Sequence, residues 1–127
     1  MIHKGQCHCG TVTYEVEAPE ELEVTECNCS ICSKSGYLHL IVPKSKFHLI
    51  SGKDNLETYT FDTQEAKHLF CKTCGIKSFY IPRSHPDGVS VNMRCIDDST
   101  IKSFSIEYFD GKNWDNNAHK LKSLNDA

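Results

Sequence analysis

The sequence predicts a mostly β chain that is organised around metal. Eight of its 127 residues are cysteines, and seven of these lie two or three positions from another one. Much of the remaining chain consists of short runs of β-branched and aromatic residues separated by turn residues. Hydrophobic residues make up 39% of the chain, enough for one modest core that metal would reinforce. We therefore treat residues 1–127 as one domain.

The predicted strands are short and follow one another along the chain. Apolar and polar residues alternate with period two over residues 11–17, which is typical of a half-buried strand. Runs of similar composition at residues 38–42, 56–61, 78–81, 89–93 and 104–109 predict five more. Residues 114–124 predict a short C-terminal helix, and a further helical turn is expected near residues 31–35. The expected architecture is several small sheets.

The spacing of the cysteines favours metal binding over disulfides. They occur as three groups and one lone residue: Cys7 and Cys9; Cys27, Cys29 and Cys32; Cys71 and Cys74; and Cys95. Neighbours this close are poorly placed to bridge each other, and a disulfide framework would join distant segments instead. Zinc requires several thiolates at one point, and a close pair supplies two of them from one turn or strand.

Two of the cysteine pairs fit one closed site with four ligands. Cys7 and Cys9 are expected to precede or begin the first strand, where residues two apart point to the same face. His8 would then point away, as a surface residue. Cys71 and Cys74, followed by Gly75, resemble a zinc knuckle, in which glycine permits a positive φ angle.

The group Cys27, Cys29 and Cys32 offers three sulfur atoms within six residues and no obvious fourth. Three protein ligands and one open position are typical of a catalytic zinc. Spacing alone leaves alternatives open. Cys7 and Cys9 could join two members of this group, and Cys95 or a histidine could supply a fourth ligand.

Charge and hydropathy weigh against some classes of partner. The net charge is -3 and the lysines are dispersed, whereas nucleic-acid binding relies on clustered lysine and arginine. No apolar run reaches membrane-spanning length, and the first residues lack the apolar core of a signal peptide. We expect a cytoplasmic protein with neither a nucleic acid nor a membrane as partner.

Six motifs in order resemble the glutathione-dependent formaldehyde-activating enzyme family, which includes centromere protein V. They are GQCHCG (5–10), CNCSIC (27–32), HLFCKTCGI (68–76), PRSHPDG (82–88), VNMRCID (91–97) and FDGKNW (109–114). The resemblance implies coiled antiparallel sheets in an Mss4-like fold. It also implies two zinc ions per chain: a structural one at Cys7, Cys9, Cys71 and Cys74, and a second at Cys27, Cys29 and Cys32. The implied activity is reversible addition of glutathione to formaldehyde.

Addition of a thiol to an aldehyde requires a thiolate and a proton for the oxygen. His39 and His68 are candidate proton donors, with structural hydrogen bonding as the alternative for each. Arg83 and Arg94 are candidates for binding the carboxylates of glutathione; the alternative is pairing with nearby aspartates. For Cys95 we prefer a buried apolar role over a place beside the second zinc.

Two classes of function follow. The preferred one is a zinc-dependent carbon–sulfur lyase that acts on adducts of glutathione or a similar small thiol. The alternative is a non-catalytic zinc module that binds a partner protein. The sequence leaves open the thiol, the electrophile and the oligomeric state.

Overall fold

The computed structural model describes residues 1–61, 66–82 and 85–111. Within these ranges the chain forms ten strands and one α-helix. The strands are β1 (Ile2–Gln6), β2 (Thr13–Glu17), β3 (Glu21–Cys27), β4 (Leu38–Pro43), β5 (Phe47–Ser51), β6 (Leu56–Tyr59), β7 (Lys67–Cys71), β8 (Phe79–Ile81), β9 (Gly88–Asn92) and β10 (Ser103–Phe109); helix α1 spans Ser30–Ser35. Short 3-10 helices occur at Lys44–Lys46, Lys53–Asn55, Met93–Cys95 and Asp98–Thr100.

The smaller sheet has three antiparallel strands in the order β1-β2-β5. Its inward residues alternate with outward ones, as a period of two requires. Tyr14 and Val16 of β2 are buried. Gly5 of β1 lies directly under the Tyr14 ring, which a Cβ atom at position 5 would overlap. The aromatic ring thus fills the space that the glycine leaves.

The larger sheet has seven strands in the order β10-β3-β4-β9-β8-β7-β6. Strand β9 is buried at every residue and lies near the middle. Neighbouring strands of the larger sheet are antiparallel, with one exception. Strands β10 and β3 are parallel, and their pairing places Phe109 opposite Cys27. The mostly β class is confirmed, with two corrections: seven strands hydrogen-bond into one continuous sheet, and one pair is parallel.

One hydrophobic cluster joins the two sheets. The Phe79 ring of β8 lies 6.0 Å from the Tyr14 ring and 4.7 Å from the Phe47 ring of β5, between ring centres. Cys7 and Cys71 belong to the same buried cluster. The first group of sulfur atoms is therefore built into the core where the sheets meet.

The predicted elements are found where the structure describes the chain, with differences. All six predicted strands are present, and the helical turn is helix α1. The strands β1, β3, β5 and β7 were not predicted. Residues 114–124 lie outside the described residues. Among the described helices, none has the length and apolar character needed to cross a membrane.

Candidate metal centres

Two tight turns position four cysteines. Cys7 and Cys9 lie between β1 and β2 in a turn that the Gly10 N–H closes on the Cys7 carbonyl at 3.2 Å. As expected, they precede the strand predicted over residues 11–17, which is β2. They lie in a turn rather than on an extended segment, and the unpredicted strand β1 comes before them. In the second turn, the Gly75 N–H bonds the Cys71 carbonyl at 2.8 Å.

Both turns end in a glycine with positive φ, 82° at Gly10 and 77° at Gly75. A Cβ atom at either position would have open space around it. Glycine is therefore favoured here by backbone conformation rather than by packing. The knuckle predicted for Cys71 and Cys74 is present, and the Cys7–Gly10 turn resembles it.

The turns bring together Cys7, Cys9, Cys71 and Cys74, which we call the closed cluster. Their four Sγ atoms all lie within 4.8 Å of one another. Cys9 Sγ is 3.6 Å from Cys7 Sγ and 3.7 Å from Cys71 Sγ, across 62 residues of chain in the second case. Sulfur atoms bound tetrahedrally at 2.3 Å from one zinc ion are about 3.8 Å apart. The spacing is thus compatible with zinc.

Polar groups around the closed cluster favour thiolates. The Val12 N–H donates to Cys7 Sγ at 3.3 Å, and the Asn55 amide donates to Cys71 Sγ at 3.3 Å. Hydrogen bonds with Thr11 lower the pKa of Cys9. Burial acts in the opposite direction on Cys7 and raises its pKa to about 11. A cation at the centre would offset that cost of burying a negative charge.

Cys27, Cys29 and Cys32 form the open cluster, with all three Sγ atoms within 4.8 Å of one another. Cys27 ends β3, Cys29 caps the N-terminus of α1, and Cys32 lies in its first turn. The Ser33 N–H bonds the Cys29 carbonyl at 2.9 Å. The helix begins between the second and third cysteine, which turns all three sulfur atoms toward one point.

The three sulfur atoms of the open cluster shift one another's pKa values in opposite directions. Hydrogen bonds from the Cys27 and Cys32 side chains lower the pKa of Cys29 to about 2. The same close contacts raise the pKa of Cys32 well above that of an ordinary thiol. One thiolate therefore forms readily and the next is disfavoured. A divalent cation would relieve the repulsion between them.

The end of β10 covers Cys27. The Asn28 N–H donates to the Phe109 carbonyl at 3.3 Å, and the Asn28 amide donates to Asp110 Oδ1 at 3.1 Å. Gly111 then lies against the Cys27 sulfur so closely that a Cβ atom at position 111 would overlap it. The parallel pairing of β10 with β3 produces this contact.

His39 contacts the open cluster at Cys32. Its Nε2 atom is 3.1 Å from Cys32 Sγ, and its Nδ1 atom is 2.9 Å from Ser90 Oγ and 3.2 Å from Tyr80 Oη. Burial lowers the pKa of His39 to about 3, so the ring is neutral. This pattern fits a proton on Nε2 that is donated to sulfur, with Nδ1 accepting from a hydroxyl group.

Lys77 is a half-buried residue whose ammonium group lies against aromatic rings, and sequence reasoning did not single it out. Lys77 Nζ donates to His68 Nδ1 at 2.7 Å and lies 3.9 Å from the Tyr80 ring centre and 4.9 Å from that of Tyr37. Burial lowers the pKa of Lys77 to about 8, while the sulfur atoms of the open cluster oppose that fall.

A family comparison fits this geometry. The sequence profile described as "Glutathione-dependent formaldehyde-activating enzyme" matches residues 2–111. The chain belongs to this family. A relative from Halomonas elongata, named as a candidate enzyme of the same kind, is 28% identical over 58% of this chain. The match spans 52% of that relative's length, about half. A crystal structure of a Rhodobacter sphaeroides protein is similar, with a TM-score of 0.67 and 33% identity, over 80% of this chain and 99% of that one.

The structure brings together the seven cysteines in the two groups that the family resemblance implied. It does not bring Cys7 and Cys9 to the open cluster, and neither Cys95 nor a histidine is among the ligand groups formed by the described residues. Cys95 is half-buried, and burial raises its pKa. The role of the seven cysteines as ligands remains a prediction.

Of the two predicted arginines, Arg94 lies beside the open cluster and Arg83 lies outside the described residues. Arg94 lines a cavity of about 560 Å3 together with Cys27, Cys32, Tyr37 and Tyr108. His68, the other predicted histidine, is stacked on Tyr80 at 4.9 Å between ring centres and accepts the hydrogen bond from Lys77. Lys77 and Gly111 are the site residues that sequence reasoning missed.

Proposed function

We propose that the chain is a zinc-dependent enzyme of carbon–sulfur lyase type that makes and breaks adducts between a small thiol, such as glutathione, and an aldehyde. One observation carries the proposal. The closed cluster brings four sulfur atoms together, whereas the open cluster brings three, beside a cavity of about 560 Å3. Four protein ligands complete a structural zinc site, and three leave a position for a substrate.

The two clusters would hold zinc ions with different roles, one structural and one in substrate binding. The closed cluster would hold a zinc ion that joins the two sheets. The open cluster, Cys27, Cys29 and Cys32, would hold a second ion, which supplies a position where the sulfur of a substrate thiol binds with a lowered pKa. Membership of a family named for glutathione and formaldehyde supports that choice of thiol and electrophile.

Arg94 is suited to bind the substrate's carboxylate. Its side chain is exposed and lines the same cavity as Cys27 and Cys32. Its backbone is held in place, because the Arg94 N–H donates to Asn92 Oδ1 at 3.2 Å. A guanidinium group can bind a carboxylate at two points, as recognition of glutathione would require.

In this proposal His39 positions Cys32 rather than supplying the proton. Both ring nitrogens already have partners, and burial keeps the ring neutral. A neutral imidazole that donates to sulfur orients that ligand and leaves its negative charge in place. The proton that the oxygen needs is the one that the thiol loses, so the overall reaction consumes none.

Titration calorimetry on the zinc-loaded protein tests the proposal. Glutathione should bind, and S-methylglutathione, which cannot form a thiolate, should bind at least tenfold more weakly. Cys29→Ser should abolish the difference, whereas Cys95→Ser, a cysteine outside both clusters, should keep it. Equal binding of the two ligands would mean that the open cluster does not receive the sulfur.

Catalysis of the reaction between glutathione and formaldehyde needs a separate measurement. Exchange spectroscopy by NMR on a mixture of formaldehyde and glutathione should show faster equilibration in the presence of the protein. Loss of this effect in Cys29→Ser, with retention in Cys95→Ser, would assign it to the open cluster. Exchange at the uncatalysed rate with wild-type protein would remove formaldehyde as the electrophile.

A non-catalytic role has one observation in its favour. Phe104 and Tyr108 of β10 are 50% and 78% exposed, on a strand at the edge of the larger sheet. Exposed aromatic residues on a sheet edge are suited to contact a partner protein. Failure of wild-type protein to bind either glutathione or its S-methyl form would favour this second function.

A further inference from the structure

The backbone of Lys77 is held in a fixed position. It follows the Cys71–Gly75 turn and precedes β8 in the chain. The Asn92 amide of β9 donates to the Lys77 carbonyl at 3.2 Å, and the Asn92 N–H donates to the Ser78 carbonyl at 2.8 Å. The backbone at this position is thus tied to the centre of the larger sheet.

The ammonium group of Lys77 is enclosed by three rings. It donates to His68 and lies over the faces of Tyr80 and Tyr37. His68 is itself sandwiched, with Phe61 at 5.3 Å and Tyr80 at 4.9 Å between ring centres. Aromatic faces attract a cation, and one hydrogen-bond acceptor directs it. These contacts leave two of the three ammonium protons for other partners.

No carboxylate of the described residues lies within ion-pair distance of Lys77. A half-buried cation is stabilised when a group of opposite charge lies beside it. Tyr37 connects the lysine with the cavity, because its ring contacts Lys77 and also lines the cavity beside Cys27.

We propose that Lys77 binds the oxygen atom of the aldehyde during the reaction and stabilises the negative charge that develops on it. This inference rests on the proposed function and adds a residue to it. Cation–π contacts and the bond to His68 hold the charge in place before the substrate arrives. Preorganised donors of this kind are the largest single contribution to many acyl- and carbonyl-transfer reactions.

The addition step is balanced in electrons and protons. The sulfur of the thiolate attacks the carbonyl carbon, a carbon–sulfur bond forms, and the π electrons of the carbonyl move onto oxygen. The ammonium protons of Lys77 donate hydrogen bonds to that oxygen. The proton released when the thiol became a thiolate finally resides on the oxygen, giving the hydroxymethyl thioether. The reverse direction breaks the same bond.

Binding of small thiols tests the charge without relying on activity. Mercaptoacetate places an anionic oxygen close to its sulfur, whereas 2-mercaptoethanol places a neutral hydroxyl group there. Calorimetry on zinc-loaded wild-type protein should give at least a tenfold preference for mercaptoacetate. Lys77→Met, which preserves the length of the side chain without its charge, should reduce this preference to about one, and Lys77→Arg should retain it.

Two matched variants isolate the effect. Lys72→Met removes an exposed lysine from the Cys71–Gly75 turn and should keep the preference. Arg94→Gln should weaken glutathione binding but keep the preference for mercaptoacetate, because Arg94 would bind the distant carboxylate. Zinc content and thermal melting of every variant should match wild type.

The outcomes separate this inference from the proposed function. Wild-type protein that binds neither thiol would overturn both. Two outcomes would overturn this inference alone if wild-type protein binds both thiols. One is that Lys77→Met retains the preference for mercaptoacetate, and the other is that Arg94→Gln loses it instead. Formaldehyde exchange should fall by about 10²- to 10³-fold in Lys77→Met with 2-mercaptoethanol affinity unchanged, and an unchanged rate would also overturn it.

Discussion

The Nε2 atom of His39 lies 3.1 Å from the Sγ atom of Cys32, and both residues are buried. The same ring is held on its other side by Ser90 and Tyr80. A histidine bound in this way restricts the position of the third sulfur of the open cluster. To become a metal ligand itself, the His39 ring would have to move and lose its contacts with Ser90 and Tyr80. The contact therefore orients a ligand and does not replace one.

The first prediction concerns this orientation. His39→Leu should lower zinc affinity at the open cluster by about 10- to 100-fold, because the sulfur loses its donor. His39→Gln, whose amide can donate from a similar position, should recover part of the loss. Competition with a chromophoric chelator measures the affinity. His48→Leu, at an exposed histidine, should have no effect; equal affinity in His39→Leu and wild type would contradict the assigned role.

The second prediction separates the clusters by what their loss does to folding. Metal at a structural site contributes about 10–16 kcal/mol to folding, and a small domain has only about 5–15 kcal/mol of net stability. Cys71→Ser should therefore give insoluble or molten protein, because the closed cluster joins distant segments in the core. Cys29→Ser should stay folded with one zinc ion, because the open cluster joins nearby residues.

Circular dichroism, thermal melting and elemental analysis of the two serine variants decide between these roles. If Cys29→Ser unfolds the protein as severely as Cys71→Ser does, both metal sites are structural and the open cluster loses its proposed function. Wild-type protein should contain two zinc ions per chain, and iron with labile sulfide would contradict zinc altogether.

Local features of the site could be predicted from the sequence, because the spacing of residues within one turn nearly fixes their geometry. The Cys27–Cys32 group and the Cys71–Gly75 knuckle are of this kind. Which pairs meet across 62 residues is not a local property, and the family resemblance supplied it. Lys77 was missed for the same reason, since His68, Tyr80 and Tyr37 define its environment only after folding.

The missed strands have a different explanation. In β3, Leu22 and Val24 alternate with glutamates, and glutamate is depleted in strands, so the period of two was weak evidence on its own. Tertiary pairing with β4 and β10 makes this segment a strand. Strand β1 was missed because its inward residues, His3 and Gly5, lack an apolar alternation that would reveal it.

The third prediction concerns Gly111. Gly111→Ala should displace Cys27 or the end of β10, because the new Cβ atom would overlap the sulfur. Zinc content should fall from two ions per chain toward one, with the fold retained. Gly36→Ala is the matched control: Gly36 has φ of 63° but open space around its Cβ position. Its cost should be about 1–2 kcal/mol of stability with two zinc ions retained.

The last prediction is that His68 contributes to a loss of stability in acid. Burial, and secondarily the Lys77 charge, lower the pKa of His68 to about 4 from an ordinary value of 6.5. Between these two values the unfolded chain binds a proton that the folded chain does not, so the free energy of unfolding decreases as pH falls from 6.5 to 4. One proton contributes up to about 1.4 kcal/mol per pH unit. His68→Phe keeps a ring between Phe61 and Tyr80 and should make this dependence shallower in urea unfolding at pH 7, 5.5 and 4.5. His48→Phe should leave the wild-type slope unchanged, and the same steep slope in His68→Phe would mean that other groups cause the acid sensitivity.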